Sequence, residues 1–204
     1  MRKGSVFVVV FALITCFANI SEATMVEWST VDGGNGHFYE AVVVPEGTNW
    51  ESSIDWESAK NAAVAAGGYL ATITSVEENY FVFSLVSGND DFYRPSWPNI
   101  VNSYLNGPWI GGFQPSGSPE PDGNWQWVTG EAFTYTNWAS NEPSNRNGVE
   151  DRLQLYAGGT LNDNSKWNDL PPVSLTHGYV VEYIPEPTTF LLLGLGTLAL
   201  RRRK

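Results

Sequence analysis

The order of local signals constrains this chain most: two capped helices close together, then a long stretch with almost no helix chemistry. Asp55 precedes "WESAKNAAVAAGG" and is an expected N-cap, with Trp56, Ala59 and Ala63 on one helical face, flanked by Ala62 and Ala66. Gly67 and Gly68 end that helix, because glycine takes the left-handed conformation that a helix C-terminus often needs. Ser75 and Glu78 form an S-x-x-E capping box for a second helix, "VEENYFVFSLV", whose Phe81 and Leu85 are expected to face the core. Strand signals fall at "HFYEAVVV" (37–44), "YLATIT" (69–74), "PWIGG" (108–112), "WQWVTG" (125–130), "RLQLY" (152–156) and "GYVVEYI" (178–184). Residues 88–107 read as a long loop, and from Phe113 to Lys166 turn chemistry dominates. This order predicts an α+β fold rather than a parallel βαβ series. So long an irregular stretch is expected where a loop binds something or is organised by a metal.

The two ends read as addresses rather than structure. Arg2 and Lys3, the apolar run from Val6 to Ile20, and the small residues Ser21 and Ala23 make residues 1–23 an expected secretory signal peptide. At the other end, Pro-Glu-Pro at 185–187 precedes an uncharged run of thirteen residues, 188–200, and the cluster Arg201, Arg202, Arg203, Lys204. As a helix that run spans about 20 Å against a hydrocarbon core of about 30 Å, short for a permanent anchor. The tail, 185–204, resembles the PEP-CTERM sorting signal of Gram-negative bacteria. The resemblance implies transient inner-membrane anchoring through 188–200, removal by a dedicated sortase, and a final place on the cell surface or in the extracellular matrix.

Between the ends, residues 24–184 are the expected domain, long enough to bury about 70% of their unfolded surface. Six of the eleven Lys and Arg and two of the twenty-two acidic residues (Glu22, Glu186) lie in the ends, leaving five basic against twenty acidic, a net of about −15. A surface so acidic excludes nucleic acid as a partner, since phosphate binding needs clustered cations, and favours a cation as ligand. The single cysteine, Cys16, lies in the signal segment. The domain therefore has no disulfide, thiolate metal site or cysteine nucleophile, and must be held by its core, for which the tryptophans are the obvious material.

"DWESAKNAAVAAGGYLATITSVEENYFV" (55–82), "WIGG" (109–112), "WQWVTGEAFTYTNWASNEPSN" (125–145) and "WND" (167–169) stand in the order found in C-type lectin-like domains, and residues 36–184 resemble that family. The resemblance implies a fold of two helices and small antiparallel sheets with a long irregular loop region. Most members carry two disulfides; here Ala63 stands where the first helix usually holds a cysteine. The family binds one Ca2+ at its long loop through a Glu-Pro-Asn stretch, a later glutamate and the Asn-Asp of WND. Carried over, the ligands are Glu142, Ser144, Glu150, Asn168 and Asp169, with Asn145 competing with Ser144 for one place. The family's proline at position 143 is cis, which aims the neighbours of a tight turn. Serine at 144 is shorter than the asparagine of mannose-binding members and departs from the Gln-Pro-Asp of galactose-binding ones.

The physical logic agrees with the resemblance. Calcium takes six to eight hard oxygen ligands, and mixed carboxylates and amides supply them without excessive mutual repulsion. The same side chains can hydrogen-bond outward to two neighbouring hydroxyls of a sugar that itself binds the metal. The expected function is thus a non-catalytic, exported, calcium-dependent carbohydrate-binding module that grips extracellular polysaccharide. The other reading is an interaction or structural matrix protein, with surface proteins as partners, on the same fold. Glu142 and Glu150 as a glycosidase pair are already used as ligands, and His37 and His177 lie at strand margins with no nucleophile motif nearby. Trp167, Trp109, Trp125, Trp127 and Trp138 are expected in the core or in loop packing, and Trp97 is the expected exposed aromatic.

Overall fold

A computed structural model describes residues 24–44, 53–95, 105–157 and 165–185. The expected signal segment, nearly all of the expected sorting tail, and Trp97 lie outside the described residues. Among the described residues no helix is long and apolar enough to cross a membrane.

The first helix forms as its sequence dictates. α1 (Trp56–Ala65) is capped by Asp55, whose Oδ1 accepts the Ser58 N–H at 2.9 Å, and Trp56, Ala59 and Ala63 are its buried residues. Gly67 turns left-handed at φ +90°, and the Gly68 N–H closes onto the Ala63 carbonyl at 3.0 Å. The second helix is capped as expected and buries polar residues as well. α2 (Val76–Ser84) starts at Ser75, whose Oγ accepts the Glu78 N–H at 3.1 Å, and its buried residues are Glu78, Asn79 and Val82. Phe81 and Leu85 pack against the core as expected, each partly buried, and Phe81 meets the Tyr39 ring edge-on at 5.3 Å. The two polar residues take inward places because each has a partner there: Glu78 the Tyr39 hydroxyl at 2.6 Å, Asn79 the Trp167 indole N–H at 2.7 Å.

The strands are β1 (Val26–Glu27), β2 (Phe38–Val43), β3 (Tyr69–Leu70), β4 (Arg94–Pro95), β5 (Leu105–Phe113), β6 (Gln126–Trp127), β7 (Arg152–Ala157), β8 (Lys166–Leu170) and β9 (Gly178–Tyr183). They form one sheet in the order β1-β2-β9-β5-β7-β8, with β3 on β9 and both β4 and β6 on β5. All pairings are antiparallel except a single parallel contact, Trp109 with Tyr179. Two expectations are corrected, and one strand is new. "YLATIT" pairs as a strand only at its first two residues, because the Thr72 and Thr74 N–H groups donate to the Glu182 and Glu78 carboxylates instead of to a ladder. The strand expected at 108–112 begins earlier, at Leu105, inside the expected 88–107 loop, which also contains β4. "KWND" lies on a strand of its own, β8.

Side chains alternate across a strand, and each face of the sheet carries its own core. Tyr39, Val82, Ile110, Leu153, Leu155 and Trp167 belong to the cluster that includes α2. Trp56, Ala59, Ala63, Leu70 and Trp109 form the other, beneath α1. Trp167 is fully buried and meets Tyr135, Trp127 and Trp138 edge-on, with centroids 5.5, 5.7 and 5.8 Å away, the geometry that aromatic quadrupoles favour.

A second knot is polar. Tyr39 OH bridges Glu78 Oε1 (2.6 Å) and Glu182 Oε1 (3.1 Å). His37 Nδ1 lies 2.6 Å from Glu182 Oε1, and Thr72 gives its N–H and hydroxyl to Glu182 Oε2 at 2.9 and 3.0 Å. Burial lifts the Glu182 carboxyl above its ordinary range and pushes the Tyr39 phenol up as well. This knot joins β2, β9 and the start of α2 without a covalent link.

Removing the Trp167 side chain (Trp167→Ala) is expected to cost about 3–5 kcal/mol, against about 1 kcal/mol for the surface cap in Asp55→Ala. Urea unfolding midpoints read the difference, and equal losses would show that the aromatic cluster does not carry the fold.

Candidate cation and sugar site

The stretch 141–151 is wound tightly by residues that tolerate a left-handed backbone. Asn141, Asn145, Asn147 and Gly148 have φ of 69°, 42°, 63° and 74°, and residues 146–148 make a single 3-10 turn. Asparagine is among the few residues with a side chain that visit this region routinely. The Glu142–Pro143 peptide is cis. The turn is pinned to β8, where Asp169 lies fully buried and opposite Leu153 of β7.

The carboxylate of Asp169 grips two successive amides, accepting the Ser144 N–H at Oδ1 (2.9 Å) and the Asn145 N–H at Oδ2 (2.8 Å). Glu150, buried just before β7, accepts the Ser144 hydroxyl (3.0 Å) and the Arg146 N–H (2.5 Å) at Oε2. Its own N–H donates to Asn145 Oδ1 at 3.1 Å. Asn168 Nδ2 donates to the Asp169 carbonyl at 2.7 Å. Glu142 Oε2 is buried and accepts no hydrogen bond.

The structure therefore joins Ser144, Asn145, Glu150 and Asp169 into one hydrogen-bonded unit, with Asn168 next to Asp169 on β8 and Glu142 beside it. Ser144 and Asn145 make different contacts: the serine hydroxyl points at Glu150, while the Asn145 carbonyl caps the Glu150 amide. The backbone amides of 144–146 are the partners that side-chain patterns do not reveal; the run of asparagines at positive φ was the available sign of them.

Burial, and then the neighbouring charges of Asp169 and Glu150, push the Glu142 carboxyl up to about 7, while the Ser144 hydroxyl pulls it the other way. Burial also raises Glu150, opposed by its bond from Arg146. Among the described residues no three acidic or histidine side chains converge as a ready-made metal cluster. The donor set nonetheless fits a hard cation: carboxylate and amide oxygens only, with one buried carboxylate oxygen that has no hydrogen-bond donor.

Residues 52–174 match the lectin C-type domain, more than half of the chain, and the protein belongs to that family, one of binding domains rather than enzymes. Residues 184–204 match the PEP-CTERM protein-sorting motif, a signal for export and surface sorting in bacteria. Ladderlectin from Oncorhynchus mykiss is 28% identical over 120 residues, 59% of this chain and 53% of that protein. The alpha-N-acetylgalactosamine-specific lectin of Patiria pectinifera is 29% identical over 103 residues, 50% of this chain and 51% of its own. The chain thus spans about half the length of both. Herring type II antifreeze protein superposes with a TM-score of 0.53 at 22% identity, over 74% of this chain and 94% of that one, which shows a shared fold.

A carboxyl raised from its ordinary value to about 7 in the folded state binds its proton more tightly there than in the unfolded chain. Its contribution to stability is complete below the ordinary glutamate range and is lost as pH rises through about 7. With excess chelator, the urea midpoint is expected to fall between pH 5 and 8, and Glu142→Gln to flatten that slope. An unchanged slope in the variant would show that Glu142 is not the group responsible.

Proposed function

We propose that this protein is a calcium-dependent carbohydrate-binding module of the bacterial cell surface or matrix. The observation that carries the reading is the meeting of Glu142, Glu150 and Asp169 from three separated segments around one asparagine-rich turn, with Asn168 adjacent on β8. Glu142, Glu150, Asn168 and Asp169 would hold the ion, with Ser144 and Asn145 at its margin. The ion, when bound, supplies a Lewis-acidic point to which two neighbouring sugar hydroxyls can bind. The chain's own part is to orient those hydroxyls: carboxylates accept from them and the Asn168 amide donates to them. The Patiria pectinifera relative is an alpha-N-acetylgalactosamine-specific lectin, which supports a sugar as the ligand class.

The domain runs over residues 24–184, behind a signal peptide at 1–23. The sorting tail at 185–204 first holds the protein at the inner membrane and is then removed, releasing it to the surface. There it binds extracellular polysaccharide.

One observation favours a second reading, an interaction or structural protein with surface proteins as partners. The Ser144 hydroxyl is spent inward on Glu150, leaving one fewer outward group for a sugar. The herring neighbour is titled an antifreeze protein, so in that protein the fold serves a task other than the one proposed here.

Calcium that binds only the folded state raises the unfolding midpoint by mass action, by about 2.7 kcal/mol at a hundred times its Kd. The rise is expected in the wild-type protein and absent in Glu150→Gln and Asp169→Asn, and retention on immobilised glycans should follow the same pattern. No rise at millimolar calcium rejects the calcium reading. A rise without retention on any glycan leaves the interaction protein.

A further inference from the structure

We infer that a second ligand site, independent of calcium, lies between α1 and the end of the sheet and takes the carboxylate of an acidic sugar. A cavity of about 220 Å³ opens there, lined by Trp56, Glu57 and Lys60 of α1, Phe113 at the end of β5, Val128 beyond β6 and Arg152 at the start of β7. That is roughly seven waters' worth of space at about 30 Å³ each, enough for one sugar ring of a polymer.

Charge gives the site its character. The domain has only five lysines and arginines among twenty acidic residues, and two of the five stand here. The Arg152 guanidinium carbon lies 4.8 Å from the Trp56 ring centre and 5.9 Å from that of Phe113, and Lys60 Nζ lies 5.3 Å from Trp56. Both cations have local partners. Arg152 Nη1 donates to the Asp151 carbonyl at 2.9 Å and pairs with Asp151 Oδ2 at 3.1 Å. Lys60 pairs with Glu57 at 2.7 Å.

Neither partnership uses up its cation. Arg152 Nε is buried with no acceptor, which disfavours the empty state until one arrives. The Lys60–Glu57 pair is an exposed i,i+3 contact, weak and readily exchanged for another carboxylate.

One aromatic wall selects the rest of the ligand. Trp56 is buried beneath the two cations, and Phe113, its ring centre 6.0 Å away and tilted by 48°, is partly exposed and offers apolar surface beside them. The C–H face of a sugar ring packs on that surface while its carboxylate meets Lys60 and Arg152. An acidic peptide side chain would reach the cations and leave the Phe113 ring uncovered.

The site is distinct from the long-loop turn. Arg152 stands in one cross-strand row with Phe113 and Leu170, and Asp169 in the next row with Leu153. Alternation along the strands turns these two rows to opposite faces of the sheet.

The test is calorimetric titration of the exported protein, in excess chelator, with tri-galacturonic acid and with a neutral galactose trisaccharide. The acidic sugar alone is expected to bind, more weakly as salt rises. Lys60→Gln, at a partly exposed position that the fold does not need, should weaken it about tenfold. Arg152→Lys, which keeps the charge but loses the guanidinium fork, should do the same. The proposal is overturned by no binding at millimolar sugar, or by Lys60→Gln and Arg152→Lys proteins that bind as wild type does. It is equally overturned if oligoglutamate binds as well as the sugar, or if binding needs calcium. Because calcium is absent throughout, failure here is separate from failure of the calcium reading.

Discussion

The indole of Trp167 joins three parts of the molecule that are far apart in the chain. Its N–H donates to Asn79 on α2, and its ring is ringed by Trp127, Phe133, Tyr135 and Trp138. Its backbone N–H takes the Asn137 carbonyl at 3.0 Å and its carbonyl takes the Ala139 N–H at 2.9 Å. The next two residues are Asn168 and Asp169, and the Asp169 carboxylate holds the turn that carries Ser144 and Asn145. A residue that looks like simple core filling thus sets the position of a polar site, because β8 cannot shift without unpacking five aromatic rings. Interiors packed at crystal-like density resist such shifts.

What a disulfide would do elsewhere is divided here between that aromatic cluster and the buried acid knot around Tyr39. Two carboxylates in a dry interior are costly unless each lone pair is used. Glu78 and Glu182 meet that condition with Tyr39, Asn35, Thr72, Thr74 and His37. The arrangement is specific as well as stabilising. A register slip in β9 would carry Glu182 to the other face of the sheet and leave it without these partners.

Local chemistry was readable and long-range chemistry was not. The Asp55 cap, the α1 face and the Gly67 stop depend on residues a few places apart, and each stands as its sequence predicts. All six residues proposed for the loop site lie together, because the motif spacings carried that information. Phe81 and Leu85 of α2 pack on the core as their spacing predicts, but Glu78 and Asn79 are inward by virtue of Tyr39 and Trp167, which no periodicity within the helix announces. The same holds for "YLATIT", whose fourth and sixth residues leave the ladder for the carboxylates of Glu182, far along the chain, and Glu78. The strand at "KWND" carries no alternating pattern, because Asn168 and Asp169 are both buried while Lys166 is exposed. The inward Ser144 hydroxyl was invisible because serine carries no positional preference strong enough to aim it.

One feature of the sheet bears on how the molecule would work under load. β9, the last strand, has β2 on one side and β5 on the other, and the chain leaves the domain directly from its end. A pull on that exit runs along the strand axis, so the six pairs with β2 are strained together rather than opened one at a time. From β9 the force passes through β5 to β7 and so to the strands that hold the loop site. Tension applied at the end of β9 would thus load its backbone bonds in shear, the direction in which a sheet yields least.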